Sequence, residues 1–270
     1  VRRVSQTTAP SWRMGRPSEL TMMAKVLLWS YGGLIAFSLF GSALSKIANI
    51  ESAGIEVFAS LAVLITGACY VGLVIGDWRT CLGVMLASGV IEAIGVTTGL
   101  PFGAYRYTEA WAPLVPLPGG HFFPLALPLA WLLVAGSSWV VMGRWLSGIP
   151  RVLASGCLTM LIDIPLEDVM TKGLGYWQWI ETGPIFGAPL MNSVGWLATG
   201  TLCAFILSLS RREEARENHV GLVFAAYCLL MGEMALLHGL SSLPLWVVLV
   251  LAFAMAGRLP GPQKIQEQTA

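Results

Sequence analysis

Charge is scarce in this chain: Asp, Glu, Lys and Arg make up 11% of 270 residues, and the formal net charge is +1. With no basic patch there is no electrostatic footprint for nucleic acid, which is excluded as a partner. Cysteine is sparse too. Cys69, Cys157, Cys203 and Cys228 fall in apolar runs and Cys81 at the edge of one, with no CxxC pair. They read as buried fillers, neither a disulfide framework nor a metal site. His121, His219 and His238 have no metal-binding spacing, and there is no Gly-rich phosphate loop, GxSxG elbow or dinucleotide fingerprint. The Asp-rich magnesium-binding repeats of membrane prenyltransferases are missing as well. These absences predict proton chemistry without a cofactor or a metal.

Apolar residues, by contrast, are 56% of the chain, and its mean hydropathy is +0.71, far outside the range of water-soluble domains. Runs long enough for a bilayer of about 30 Å lie at Ala24–Leu44, Val57–Ile75, Leu82–Gly99, Leu125–Trp145, Val152–Met170, Leu190–Leu209, Leu222–Leu240 and Leu243–Leu259. The reading is an all-α integral membrane protein of about eight transmembrane helices. It has one domain over 24–259, a polar basic segment over 1–23 and a tail over 260–270. Gly32, Gly33, Gly41 and Ser42 suit close helix packing. Of the 16 Lys and Arg, only Lys46, Arg106 and Lys172 fall on one side of this topology. The positive-inside rule therefore puts both termini in the cytoplasm, in a bacterial or archaeal cytoplasmic membrane. Val1 to Glu19 lacks the short apolar core of a removable signal peptide. No internal repeat of the transporter kind is visible.

Ionisable groups inside a bilayer are costly, so Glu92, Asp163, Glu167 and Glu233 are the first candidates for a site. Asp163 and Glu167 are four apart and share a helix face, with Asp163 roughly 16 Å along its helix, near the midplane. No Lys or Arg lies inside the runs that carry these acids to neutralise them. Unpartnered and close together, such carboxyls favour the neutral form, and a neutral acid in an apolar pocket is a proton donor. The bland alternative is that each acid only hydrogen-bonds to a neighbouring helix, and Glu92 and Glu233 fit it as well as they fit a site. Two outward connections are aromatic and rich in Gly and Pro. Tyr105, Tyr107, Tyr176 and Trp177 stand next to the acids with faces that could stabilise a cation, whereas Trp111 and Trp179 read equally well as interface anchors.

The order GLPFGAYRY (Gly99 to Tyr107), PLALPLAW (Pro124 to Trp131), DIPLEDVMTKGLGYWQW (Asp163 to Trp179) and GAPLMNSVGW (Gly187 to Trp196) resembles the carotenoid biosynthesis membrane proteins of the CruF type, which are carotenoid hydratases. The resemblance covers about Leu82 to Gly200. It implies addition of water to the terminal double bond of an acyclic carotenoid, with Glu92, Asp163, the GYWQW block (Gly175 to Trp179) and Asn192 as site residues. With Glu167 added, Glu92, Asp163, Glu167 and Asn192 are the expected catalytic residues. Phe102, Tyr105, Tyr107, Trp131, Tyr176, Trp177 and Trp196 are the residues expected to contact substrate. Where the family usually carries an Asp-Pro pair this chain has Glu167-Asp168, which keeps a carboxylate. The expected partners are the carotenoid, water, membrane lipid and other enzymes of the pathway. Hydrating a trisubstituted alkene needs protonation to a tertiary carbocation, so Asp163 is expected as donor. Glu167 or Glu92 then orients water, and Tyr105, Tyr176 and Trp177 wall the cation. An end-group cyclase, a proton-coupled transporter and a pigment-binding protein remain as other readings.

Overall fold

The computed structural model describes residues 22–50, 53–212 and 219–258. The basic N-terminal arginines, Arg216 and the tail with Lys264 lie outside the described residues, as does the signal-peptide expectation. Apolar sequence in a medium that offers no hydrogen bonds must pair its backbone internally, and the result is helical. Among the described residues there are eight helices: α1 (Met22–Ala48), α2 (Ala53–Ile75), α3 (Trp78–Thr98), α4 (Leu127–Met142), α5 (Gly148–Asp168), α6 (Leu190–Ser208), α7 (Val220–Leu237) and α8 (Leu243–Arg258).

Six of these are long and apolar enough to cross a membrane, two fewer than the sequence suggested. The exceptions, α4 and α8, have 16 residues each, or about 24 Å at the helical rise. For α4 the reason is its place at the centre of the bundle. It packs against α2, α3, α5, α6, α7 and α8, and Trp131 to Val141 is a continuous buried run. A helix sheathed in protein has no lipid thickness to match. Its expected end at Trp145 moves back to Met142, where Arg151 donates two hydrogen bonds to the Trp139 carbonyl, at 3.1 and 2.8 Å, with its guanidinium 3.5 Å over the Trp139 ring.

The helices approach most closely where side chains vanish. A Cβ on Gly156 of α5 would overlap Thr201 of α6, and one on Gly200 would come within 2.8 Å of Thr159. This crossing sets α5 against α6 in the register that brings Asn192 to the α5 acids. The glycines expected to do such work in α1 do not: Gly32, Gly33 and Gly41 have nothing within 4 Å, because α1 is an outer helix that turns only Tyr31, Ile35 and a few neighbours inward. Cys69 and Cys157, expected to be buried, are exposed on the surface of the bundle. A thiol is apolar enough to face lipid as readily as core.

Both aromatic connections contain strands that an all-helical reading does not include. β1 (Tyr105–Tyr107) pairs antiparallel with β4 (Trp177–Trp179), while β2 (Leu114–Leu117) and β3 (His121–Pro124) form a hairpin. Loops folded over an apolar bundle must still satisfy their amides, and pairing one connection with the other does so. All of this lies at the end of the bundle where α3 and α5 finish and α4 and α6 begin.

Candidate active site

The β1–β4 ribbon roofs the site. Alternation along a strand sends successive side chains to opposite faces. In the register Tyr105↔Trp179, Arg106↔Gln178, Tyr107↔Trp177, the four aromatics therefore face inward and the polar pair outward, where Arg106 donates to the Gln178 carbonyl at 3.2 and 2.8 Å. Tyr105 and Trp179 have ring centroids 5.3 Å apart, and Tyr107 and Trp177 6.4 Å.

Each strand of the ribbon serves one carboxyl group. Glu92, on α3, accepts from the Tyr105 and Tyr107 hydroxyls through Oε2, at 2.6 and 2.9 Å, and from the Trp131 indole of α4 through Oε1 at 2.9 Å. Glu167, on α5, accepts from the Trp177 and Trp179 indoles through Oε2, at 3.1 and 2.8 Å, and from the Asn192 amide through Oε1 at 2.8 Å. The same Asn192 nitrogen donates to Asp163 Oδ2 at 2.7 Å. Every donor on these three buried acids is neutral. Burial above all pushes the Tyr105 and Tyr107 phenols well above their usual range, so both stay protonated donors.

Beneath the ribbon is a cavity of about 90 Å3. An apolar cavity of roughly 150 Å3 holds a benzene ring, so this one admits the branched tip of a hydrocarbon and leaves the rest of a long chain outside. Its wall carries Glu92, Glu167 and Asn192 among Phe102, Tyr105, Tyr107, Trp131, Tyr176, Trp177 and Trp196. Ten of the eleven residues expected to be catalytic or to contact substrate thus surround one space. The eleventh, Asp163, is not on the wall. It stands behind Asn192 with Oδ1 buried and unpartnered, although it was the expected donor.

Two tryptophans that the sequence left between anchor and site belong to the site. Trp179 holds Glu167, and Trp111 stacks on Tyr176 at 5.1 Å and 8°. Further wall residues come from α2 (Ser60, Val63, Leu64) and α7 (Tyr227, Leu230, Met231), which carry no motif and left no signal beyond their hydropathy. Glu233 is elsewhere, accepting from Ser42 of α1 at 2.9 Å, a helix-to-helix tie. Asp168 also turns away: it pairs with Lys172 at 2.7 Å and accepts from the Ser242 amide at 3.0 Å. It thereby pins the π-turn at Val169–Gly173, which ends α5, to the start of α8.

The model of a family described as carotenoid biosynthesis protein matches residues 52–257. The chain belongs to that family. A bisanhydrobacterioruberin hydratase of Haloarcula japonica is 34% identical over 122 residues, which cover 43% of this chain and 39% of that relative. The match spans about two fifths of the relative's length. No solved structure matches the chain. For this family member, a buried group of acids around an aromatic-walled, hydrocarbon-sized space is the feature that calls for a chemical account.

Proposed function

We propose that this chain is a carotenoid hydratase. It adds water across the terminal double bond of an acyclic carotenoid end group and releases a tertiary alcohol. The observation that carries the reading is that two carboxyl groups, each with three neutral hydrogen-bond donors, sit on the wall of one small apolar cavity. The hydratase named among its relatives supports it.

Protonation of a trisubstituted alkene at its less substituted carbon leaves a tertiary carbocation. The acid has to be dry to be strong enough, and its conjugate base has to be stabilised where it forms. Here the donors around each carboxyl are preorganised by the ribbon and by α4 and α6. The faces of Tyr176, Trp177 and Trp111 stabilise the cation without capturing it, as aromatic quadrupoles do. Water then forms the C–O bond, and a second carboxylate takes its proton. One hydrogen ion is given and one recovered, so the chemistry has no net demand for a cofactor. In this reading the protein sits in a bacterial or archaeal cytoplasmic membrane with both termini in the cytoplasm, the ribbon end of the bundle faces away from the cytoplasm, and the rest of the polyene stays in lipid.

Expression in a cell that accumulates an acyclic carotenoid tests the proposal. Pigments heavier by one water are expected, and Glu92→Gln is expected to lower their yield by about 10²- to 10⁴-fold, the usual contribution of a general acid or base. A product isomeric with the substrate would instead identify an end-group cyclase, and unchanged pigment with intact protein would remove the enzymatic reading.

A further inference from the structure

The two carboxyls on the cavity wall differ in the kind of partner they have, and the difference assigns their roles. Indole N–H groups are donors only, whereas a phenol both donates and accepts. Glu167 Oε2 faces two indoles, Trp177 and Trp179, and Oε1 faces the Asn192 amide. A proton placed on Oε2 displaces an indole N–H that has no other acceptor among the described residues, and leaving a buried donor unmade is costly. Glu167 is thus built to be a carboxylate. Glu92 Oε2 instead faces two phenols, Tyr105 and Tyr107. When Glu92 is protonated there, Tyr105 accepts from it and turns its own hydrogen to the Glu92 backbone carbonyl, 3.5 Å away. When Glu92 is ionised, both donate. No partner is orphaned in either state.

We propose, on the basis of the hydratase reading, that Glu92 is the proton donor and Glu167 the base. Glu92 O–H breaks as the new C–H bond forms on the alkene, and the phenols swing to donate to the carboxylate left behind. The cation forms opposite the fixed negative charge of Glu167. Water attacks the cationic carbon, and its proton goes to Glu167 Oε1, the oxygen with a single donor. Return of that proton to Glu92, across the cavity or through bulk water, resets the site. Asp163 acts as a positioning residue: by sharing the Asn192 amide it holds that donor on Glu167.

Isotope exchange separates the two roles. The full-length protein in lipid nanodiscs is supplied with an acyclic carotenoid in D2O. In Glu167→Gln the cation still forms but is not captured efficiently. It returns a hydrogen ion to Glu92, so recovered substrate carries deuterium at its end group while alcohol is lost. In Glu92→Gln neither alcohol nor deuterium is expected. Deuterium exchange in Glu92→Gln, or its absence in a folded Glu167→Gln, overturns the assignment.

A second measurement needs neither acid replaced. The infrared carbonyl stretch of a protonated carboxylic acid is expected to shift in Tyr107→Phe and to stay in place in Trp179→Phe; the reverse pattern also overturns the assignment. If wild type forms no hydrated pigment the hydratase reading fails whatever the band does. If it hydrates and the band follows Trp179, only the division of roles fails.

Discussion

Tyr105 and Tyr107 are bound to Glu92 by one strand of alternating residues, and their chemistry follows from that burial. Because their phenols lie above the usual range in the folded chain and near 10 in the unfolded one, the unfolded state ionises first as pH rises. Their contribution to stability is therefore complete below about pH 10 and is lost as pH climbs through the folded-state values. A near-ultraviolet titration of the Tyr105→Phe, Tyr107→Phe double variant should show two fewer phenols that ionise only on alkaline unfolding than the wild type shows. Trp179 teaches the complementary lesson. Nothing in the run Trp177-Gln178-Trp179 distinguishes an interface anchor from a hydrogen-bond donor to a buried acid. The distinction arises only from pairing with Tyr105 across the ribbon.

Helix crossings decide which acids meet. Asn192 reaches both Asp163 and Glu167 because α5 and α6 touch at Gly156 and Gly200, where any larger side chain overlaps its neighbour. Gly156→Val is expected to destabilise the fold by about 1–3 kcal/mol, the usual cost of overpacking. By moving Asn192 off Glu167 it should also lower pigment conversion; thermal unfolding in detergent and pigment analysis would measure the two effects. The positions of the helices, in contrast, are visible from hydropathy. The expected runs and the observed helices agree to within a few residues at most ends, with α4 shorter because Arg151 closes it from the next helix. Its strands were not visible. Three-residue pieces such as Tyr105–Tyr107 have no periodicity of their own and exist because another connection lies alongside.

The cavity belongs to the assembled bundle. Six helices, α2 to α7, contribute to its wall, and only the α3 to α6 part carried recognisable motifs. Filling the space without touching the acids is therefore informative. Val134→Trp, on the cavity face of central α4, should abolish conversion of the bulky end group, whereas Val134→Ala should leave a measurable rate; size-exclusion profiles would verify that both proteins stay folded.

The positions and order of the helices, the membrane environment and the concentration of intramembrane acids in α3 and α5 follow from sequence alone, because the cost of exposing apolar surface to water and of burying charge in lipid is set residue by residue. Which acids share a cavity, and which stand apart, was decided by tertiary structure. Glu92 and Glu167 look alike in sequence to Asp163 and Glu233, yet one pair is on the wall, one acid lies behind Asn192 and one is tied to Ser42. The partners that tell a proton donor from a base come from other segments, and only close packing of those segments brings indole, phenol and carboxyl to hydrogen-bond distance.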